Sequence, residues 1–169
     1  MDDLVNDSGL RIRTALASDI DAVLAFWARA AEGTSISDDR AGVARLIDRD
    51  PGALLLAVPG GDPGEPPAAG APAAGAPAAG PVVGPVVGSV IAGFDGWRCH
   101  LYRLAVHPAH RRRGVASALL AAAEARFAAL GGRRADAMVL DRNASAHHAW
   151  RAAGYAPQPQ WSRWVKPLG

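Results

Sequence analysis

Residues 104–117 read Leu-Ala-Val-His-Pro-Ala-His-Arg-Arg-Arg-Gly-Val-Ala-Ser, and the fold is decided here. The apolar run Leu104, Ala105, Val106 ends a strand. A short basic turn follows, with Pro108 and the consecutive Arg111, Arg112 and Arg113. Gly114, Val115, Ala116 and Ser117 then open a long helix. Its apolar positions, Val115, Leu119, Ala122, Ala123, Phe127 and Leu130, have the spacing of one helical face. A strand, a basic loop, a glycine and a helix in succession make a device for holding phosphates. The first helical turn has unpaired N–H groups and the positive end of the helix dipole. Small residues at 114 and 116 let a ligand approach that backbone closely. The arginines add charge-assisted donors.

Working outward, residues 10–13 read as a strand, and Ser18 as the cap of a helix reaching about residue 31, with Ile20, Val23, Leu24 and Trp27 on one face. A polar break at 32–37 leads into a second helix over 38–49, stopped by Pro51-Gly52. Residues 53–58 form an apolar run short enough for a buried strand. Residues 86–94 read as a strand interrupted by Gly88, Asp95-Gly96 as a turn, and 100–106 as the strand that feeds the basic loop. A strand over 135–140, a helix, and a last strand near 161–165 complete the order. Helices flanking a mixed sheet are the natural arrangement, an α/β fold.

The length of 169 residues suits one domain, 1–169, with a real core. A net charge of +2 makes no case for nucleic acid, and no aromatic residues are interleaved with the arginines. Cys99 is the single cysteine, so no internal disulfide forms, and a reducing cytoplasmic setting is expected. The opening Met-Asp-Asp lacks the apolar stretch of a secretory signal. Residues 66–94 carry no charge, but twelve of these 29 are Pro or Gly, which excludes a membrane helix. Pro-Ala-Ala-Gly-Ala repeats at 67–71 and 72–76, and Pro-Val-Val-Gly at 81–84 and 85–88. The stretch from about 59 to 85 is therefore expected to be a disordered loop insertion.

The spacing Arg111-x-x-Gly114-x-Ala116 lacks the features of a dinucleotide fingerprint or a P-loop. It resembles the Gln/Arg-x-x-Gly-x-Gly/Ala pyrophosphate-binding motif of the GNAT N-acetyltransferase superfamily. Asn143-x-x-Ala146-x-x-x-Trp150-x-x-x-Gly154-Tyr155 is similar to that family's Asn-x-x-Ala-x-x-x-Tyr-x-x-x-Gly-Phe segment, with Trp where the family often has Tyr. The resemblance covers 86–166 well and 10–58 loosely, and has no counterpart between. It implies a central, partly parallel mixed sheet of about six to seven strands with about four helices. Its two middle strands would splay to admit acetyl-CoA, and no metal is implied.

The same resemblance implies an acetyl-CoA-dependent transfer to a primary amine on a small molecule or protein, by a monomer or a homodimer. Arg111 to Ser117 would cradle the pyrophosphate, and the backbone of Leu104, Ala105 and Val106 would hold the acetyl carbonyl and pantetheine amides. Asn143 matches a residue that bonds the pantetheine arm, and equally suits a helix N-cap. Trp150 cannot protonate the departing thiolate as Tyr could, and fits a packed helical stripe with Ala146, Ala149 and Ala153. Tyr102, Tyr155, His147 or water could replace that acid. His100 is the candidate general base, with Tyr102 on the same face by alternation. His107 and His110 read as solvent-facing loop residues. Glu32, Asp38 and Asp39 lie where the family builds its acceptor site, while Asp38 and Asp39 also suit a helix start. A non-catalytic acyl-CoA-binding regulator of the same fold is the alternative, motivated by Trp150.

Overall fold

In a computed structural model of the chain, residues 4–5, 9–31, 35–60 and 84–168 are described. Among them, six strands join into one sheet in chain order: β1 (Leu4–Val5), β2 (Leu10–Thr14), β3 (Leu54–Pro59), β4 (Gly88–Phe94), β5 (Cys99–Val106) and β6 (Ala135–Ala137). Neighbours run antiparallel from β1 to β5, and β6 lies parallel to β5. The switch follows from the connections. A tight turn joins β4 to β5, whereas the helix α3 (Val115–Ala129) carries the chain back before β6 begins. Two further helices, α1 (Ile20–Ala30) and α2 (Arg40–Arg49), lie between β2 and β3 in sequence. These elements belong to one compact unit, Met1–Met138. A second unit, Val139–Gly169, contains α4 (Ala144–Ala152).

The strand β3 is buried on both faces from Leu54 to Val58. Leu54 and Leu56 join Val23, Phe26, Trp27 and Val43 of α1 and α2 in one core cluster. Alternation turns Ala57 to the opposite face, where α3 lies. There Gly88 stands across from Ala57. A Cβ at Gly88 would come within 2.7 Å of Val115 Cγ1 and 2.9 Å of Leu119 Cδ1. The start of α3 thus rests on bare sheet backbone, which is why the strand carries glycine there. Gly88→Ala is expected to cost about 1–3 kcal/mol by overpacking, or about 2–4 °C of Tm per kcal/mol in a chain of this size. Adding Val115→Ala should restore much of the loss. Thermal unfolding of both variants checks this, and purely additive losses would exclude the clash as the cause.

Several sequence expectations change. The helix cap at Ser18 is replaced by a 3-10 turn, Ala17–Asp19, in which the buried Asp19 carboxylate accepts the Leu16 N–H at 2.8 Å. The second helix begins at Arg40, because Asp39 is its N-cap and accepts the Gly42 N–H. Val86 and Val87 precede β4, although Val87 still bonds to Ala57 and His107 through its backbone. In the β4–β5 turn, Asp95 accepts the N–H groups of Arg98 and Trp97, which hold its carboxyl below the usual range. On α3 the buried set is Val115, Leu119, Leu120, Ala123, Arg126 and Phe127, while Leu130 is exposed at the helix end.

The expected strand near 161–165 is absent, and Trp161, Trp164 and Val165 are exposed. Apolar residues at 161, 164 and 165 do not alternate, so no single face exists to bury. Pro157, Pro159 and Pro167 remove ladder donors on either side. β6 is shorter than expected, ending at Ala137. Residues 61–83, which carry most of the repeat, and Glu32 lie outside the described residues.

Candidate active site

A bulge shapes the end of β5. Its register against β4 passes from Ile91↔Tyr102 to Ser89↔Ala105, so Arg103 and Leu104 together oppose Val90. Arg103 adopts φ +51°, a left-handed conformation that is uncommon for a residue with a side chain. A chain of bonds holds it there. Trp27 Nε1–H donates to Ser89 Oγ at 2.9 Å, and Ser89 O–H donates to the Arg103 carbonyl at 3.0 Å. The Arg103 guanidinium lies 5.7 Å from the Trp27 ring centre and forms a forked pair with Asp38. Asp38 therefore serves β5 rather than the start of α2, and its charge is already paired. The bulge also reverses the alternation. Ala105 joins the α1–α2 core, on the face shared by Tyr102, where simple alternation would have put Leu104 and Val106.

Beyond Val106 the chain makes a 3-10 turn, Pro108–His110, begun by His107, whose Nδ1 accepts the Ala109 N–H at 3.3 Å. His107 and His110 are half-buried, with rings 5.7 Å apart edge to face, rather than solvent-facing. Arg111 Nε donates back to the Val106 carbonyl at 3.2 Å, tying the turn to the strand end. Arg111, Arg112, Arg113 and Gly114 are all exposed. Gly114 has φ +78° and is the N-cap of α3, with no side chain capping the helix. The first helical bond at this end runs from Ala118 N–H to the Gly114 carbonyl at 2.9 Å. The N–H groups of Val115, Ala116 and Ser117 thus lie ahead of the helical bonding pattern. Val115 is buried, Ala116 half-buried and Ser117 exposed. Among the described residues, a Cβ at Gly114 would meet nothing within 4 Å, so none of them closes the gap beside the helix start.

On the other side of β5, pairing with β6 spans only three rungs, Cys99↔Ala135, His100↔Asp136 and Leu101↔Ala137. Cys99 and Leu101 are buried, and His100 and Tyr102 face the opposite way. Their rings are 5.9 Å apart, and Tyr102 is 45% exposed. His100 Nδ1 lies 2.7 Å from Asp136 Oδ1. Asp136 carried no sequence signal. A lone Asp in a short strand gains meaning only once a parallel register puts it beside a histidine.

In the second unit, Asn143 Oδ1 accepts the Ala146 N–H at 3.0 Å and caps α4. Trp150 is buried, and its ring meets Tyr155 edge to face at 4.9 Å. His147 Nε2 is 3.2 Å from the Asp141 carbonyl. Among the described residues, no three His, Cys, Asp or Glu side chains gather to hold a metal. Nor is any helix there long and apolar enough to cross a membrane.

A model of the acetyltransferase (GNAT) family matches residues 62–155, a range that includes the bulge, the turn and the helix start. The chain belongs to the GNAT acetyltransferase family. The match begins inside the repeat-rich stretch that the motif comparison had left without a counterpart. An acetyltransferase of Pectobacterium atrosepticum is 30% identical over 134 residues, 79% of each chain. Among solved structures, Ard1 from Thermoplasma volcanium has a TM-score of 0.64 at 19% identity, covering 88% of this chain and 83% of its own. Aminoglycoside N-acetyltransferase AAC(6')-Iy in complex with CoA has a TM-score of 0.67 at 16% identity, covering 94% and 95%. At such identities the likeness carries the GNAT fold.

Proposed function

We propose that this chain transfers the acetyl group of acetyl-CoA to a primary amine by direct attack on the thioester. The observation that supports this most is the uncapped start of α3 set directly after the bulged end of β5. Val115, Ala116 and Ser117 offer backbone N–H groups to a pyrophosphate across the gap left by Gly114, which has no Cβ to obstruct it. Arg112 and Arg113 stand exposed to add charge, while Arg111 braces the turn. Leu104, Ala105 and Val106 present the backbone that would hold the acetyl carbonyl and the pantetheine amides. The residues present therefore fit the co-substrate.

Acetyl-CoA supplies an activated thioester. The chain's own residues orient the reactants and move protons. His100 Nε2 takes a proton from the attacking amine as the N–C bond forms. The carbonyl oxygen gathers charge near the backbone donors of β5. When the C–S bond breaks, the departing sulfur needs little help, because a thiol has a pKa of about 8.5. Tyr102, whose ring lies 5.9 Å from that of His100 on the same face, would supply that proton in place of the acid that Trp150 cannot be. The acceptor is an amine of a small molecule or of a protein.

Thiol release measured against a panel of amines and peptides tests the reading. His100→Gln should lower kcat about 100-fold, within the range of a lost general base, and leave the Kd for acetyl-CoA within about 2-fold, because the cradle is untouched. Acetyl-CoA binding without turnover across the panel would favour the regulator alternative, which Trp150 also suits.

A further inference from the structure

We propose that Asp136 is the positioning residue that directs His100 as a base, an inference that rests on His100 taking the proton from the amine. His100 and Asp136 are cross-strand neighbours in the parallel pairing of β5 and β6, and their side chains meet at 2.7 Å through Nδ1 and Oδ1. The backbone rungs on either side, Cys99↔Ala135 and Leu101↔Ala137, set this approach. It does not depend on two long flexible side chains finding each other, as exposed ion pairs do. The imidazole is 25% exposed and the carboxylate 47%, so both rest against protein while the pair stays reachable from solvent.

An ionised carboxylate only accepts hydrogen bonds. The proton of a neutral His100 therefore sits on Nδ1, which donates to Asp136. Nε2, on the far side of the ring from that contact, is left with its lone pair. That is the form a base must have before the amine arrives. When Nε2 takes the amine proton, Nδ1 keeps its own, and the imidazolium charge forms against the Asp136 carboxylate, which itself remains ionised. The pair stands on the middle of three rungs, just ahead of the bulge at Arg103 and Leu104. The base would thus act where β5 stops being an ordinary strand, on the same face as Tyr102.

The test combines steady-state kinetics with 15N NMR of the His100 ring in wild type, Asp136→Asn, Asp136→Glu and His100→Gln. In wild type the ring should show protonated Nδ1 and unprotonated Nε2. Asp136→Asn can donate to Nδ1 and should invert that signature. It should also lower kcat about 10–100-fold, up to the loss expected of removing the base itself, because the wrong tautomer leaves no lone pair for the amine proton, with KM for acetyl-CoA unchanged. Asp136→Glu keeps an acceptor and should recover part of the rate and the wild-type signature. If His100→Gln disables turnover but Asp136→Asn keeps both rate and signature, the positioning role is overturned while the base stands. If His100→Gln itself keeps full turnover, the base reading fails, and the role of Asp136 fails with it.

Discussion

Gly114→Glu should lower acetyl-CoA affinity by about 10²–10⁴-fold, the equivalent of losing two charge-assisted hydrogen bonds of about 1.5–3 kcal/mol each. The side chain would enter the space at the start of α3, where a Cβ meets nothing within 4 Å among the described residues. There its carboxylate would stand between the first-turn N–H groups and a pyrophosphate, and repel the latter. A second effect has to be separated. At φ +78° any side chain is strained, by roughly 1–2 kcal/mol, and that loss appears in Tm rather than in binding. Gly114→Asn provides the control, because Asn tolerates the left-handed region and brings no charge. Calorimetric titration should find Gly114→Asn weakened by the bulk it adds to the gap, and Gly114→Glu far weaker still, the difference between them reporting the charge. A folded Gly114→Glu that binds with wild-type affinity would remove the cradle.

That cradle was legible because its signals are contiguous. Arg111-x-x-Gly114-x-Ala116 fixes where a helix starts and how bare its first turn is within six residues. Even so, the reason for Gly114 was half seen. Close approach of a ligand calls for a small residue, but the backbone angle calls for glycine independently. Gly88 was seen only as a strand interruption. Its cause, the Val115 and Leu119 side chains lying on it, comes from a helix more than twenty residues further on.

The bulge was not legible at all. Nothing in Tyr102-Arg103-Leu104-Ala105 departs from an ordinary strand, and the left-handed conformation falls on an arginine rather than a glycine. It is held from outside, by Ser89 on the neighbouring strand, Trp27 on α1 and Asp38 ahead of α2. Arg126 repeats the lesson. Its charge alone points an arginine to solvent, although position 126 lies on the apolar face of α3, three residues after Ala123 and four before Leu130. Instead it is buried, donating to the Gly52 carbonyl at 2.7 Å and pairing with Asp50. Periodicity reports which face of an element is apolar, whereas polar contacts between distant elements depend on register and approach. The same limit hid Asp136.

Asp19 carries the largest stability effect of this kind. Its carboxylate is fully buried and receives 2.6 and 2.9 Å bonds from the Arg13 guanidinium and a 2.8 Å bond from the Leu16 N–H. It thereby joins the end of β2 to the start of α1, the helix that brings Trp27 to Ser89. Asp19→Asn keeps the shape but leaves Arg13, itself only 13% exposed, without its counter-charge. Removing one partner of a buried pair costs about 3–5 kcal/mol, which is about 6–20 °C of Tm at this chain length. Replacing both charges, as Arg13→Met with Asp19→Leu, should cost much less, because no uncompensated charge remains. The pair also shapes the response to acid. Burial pushes the Asp19 carboxyl up, but the hydrogen bonds from Arg13 and Leu16 outweigh it and hold the group below its ordinary value of 3.8. A carboxyl depressed in the folded state stabilises the fold fully above the unfolded value of about 3.9. That stabilisation drains away as the pH falls through the lower folded value. Denaturant unfolding from pH 7 to 2 should therefore show the gap between wild type and Asp19→Asn narrowing below about pH 4. A gap of constant size down to pH 2 would mean that the Asp19 charge does not carry the loss, and equal losses in the single and double variants would mean that the uncompensated Arg13 charge does not.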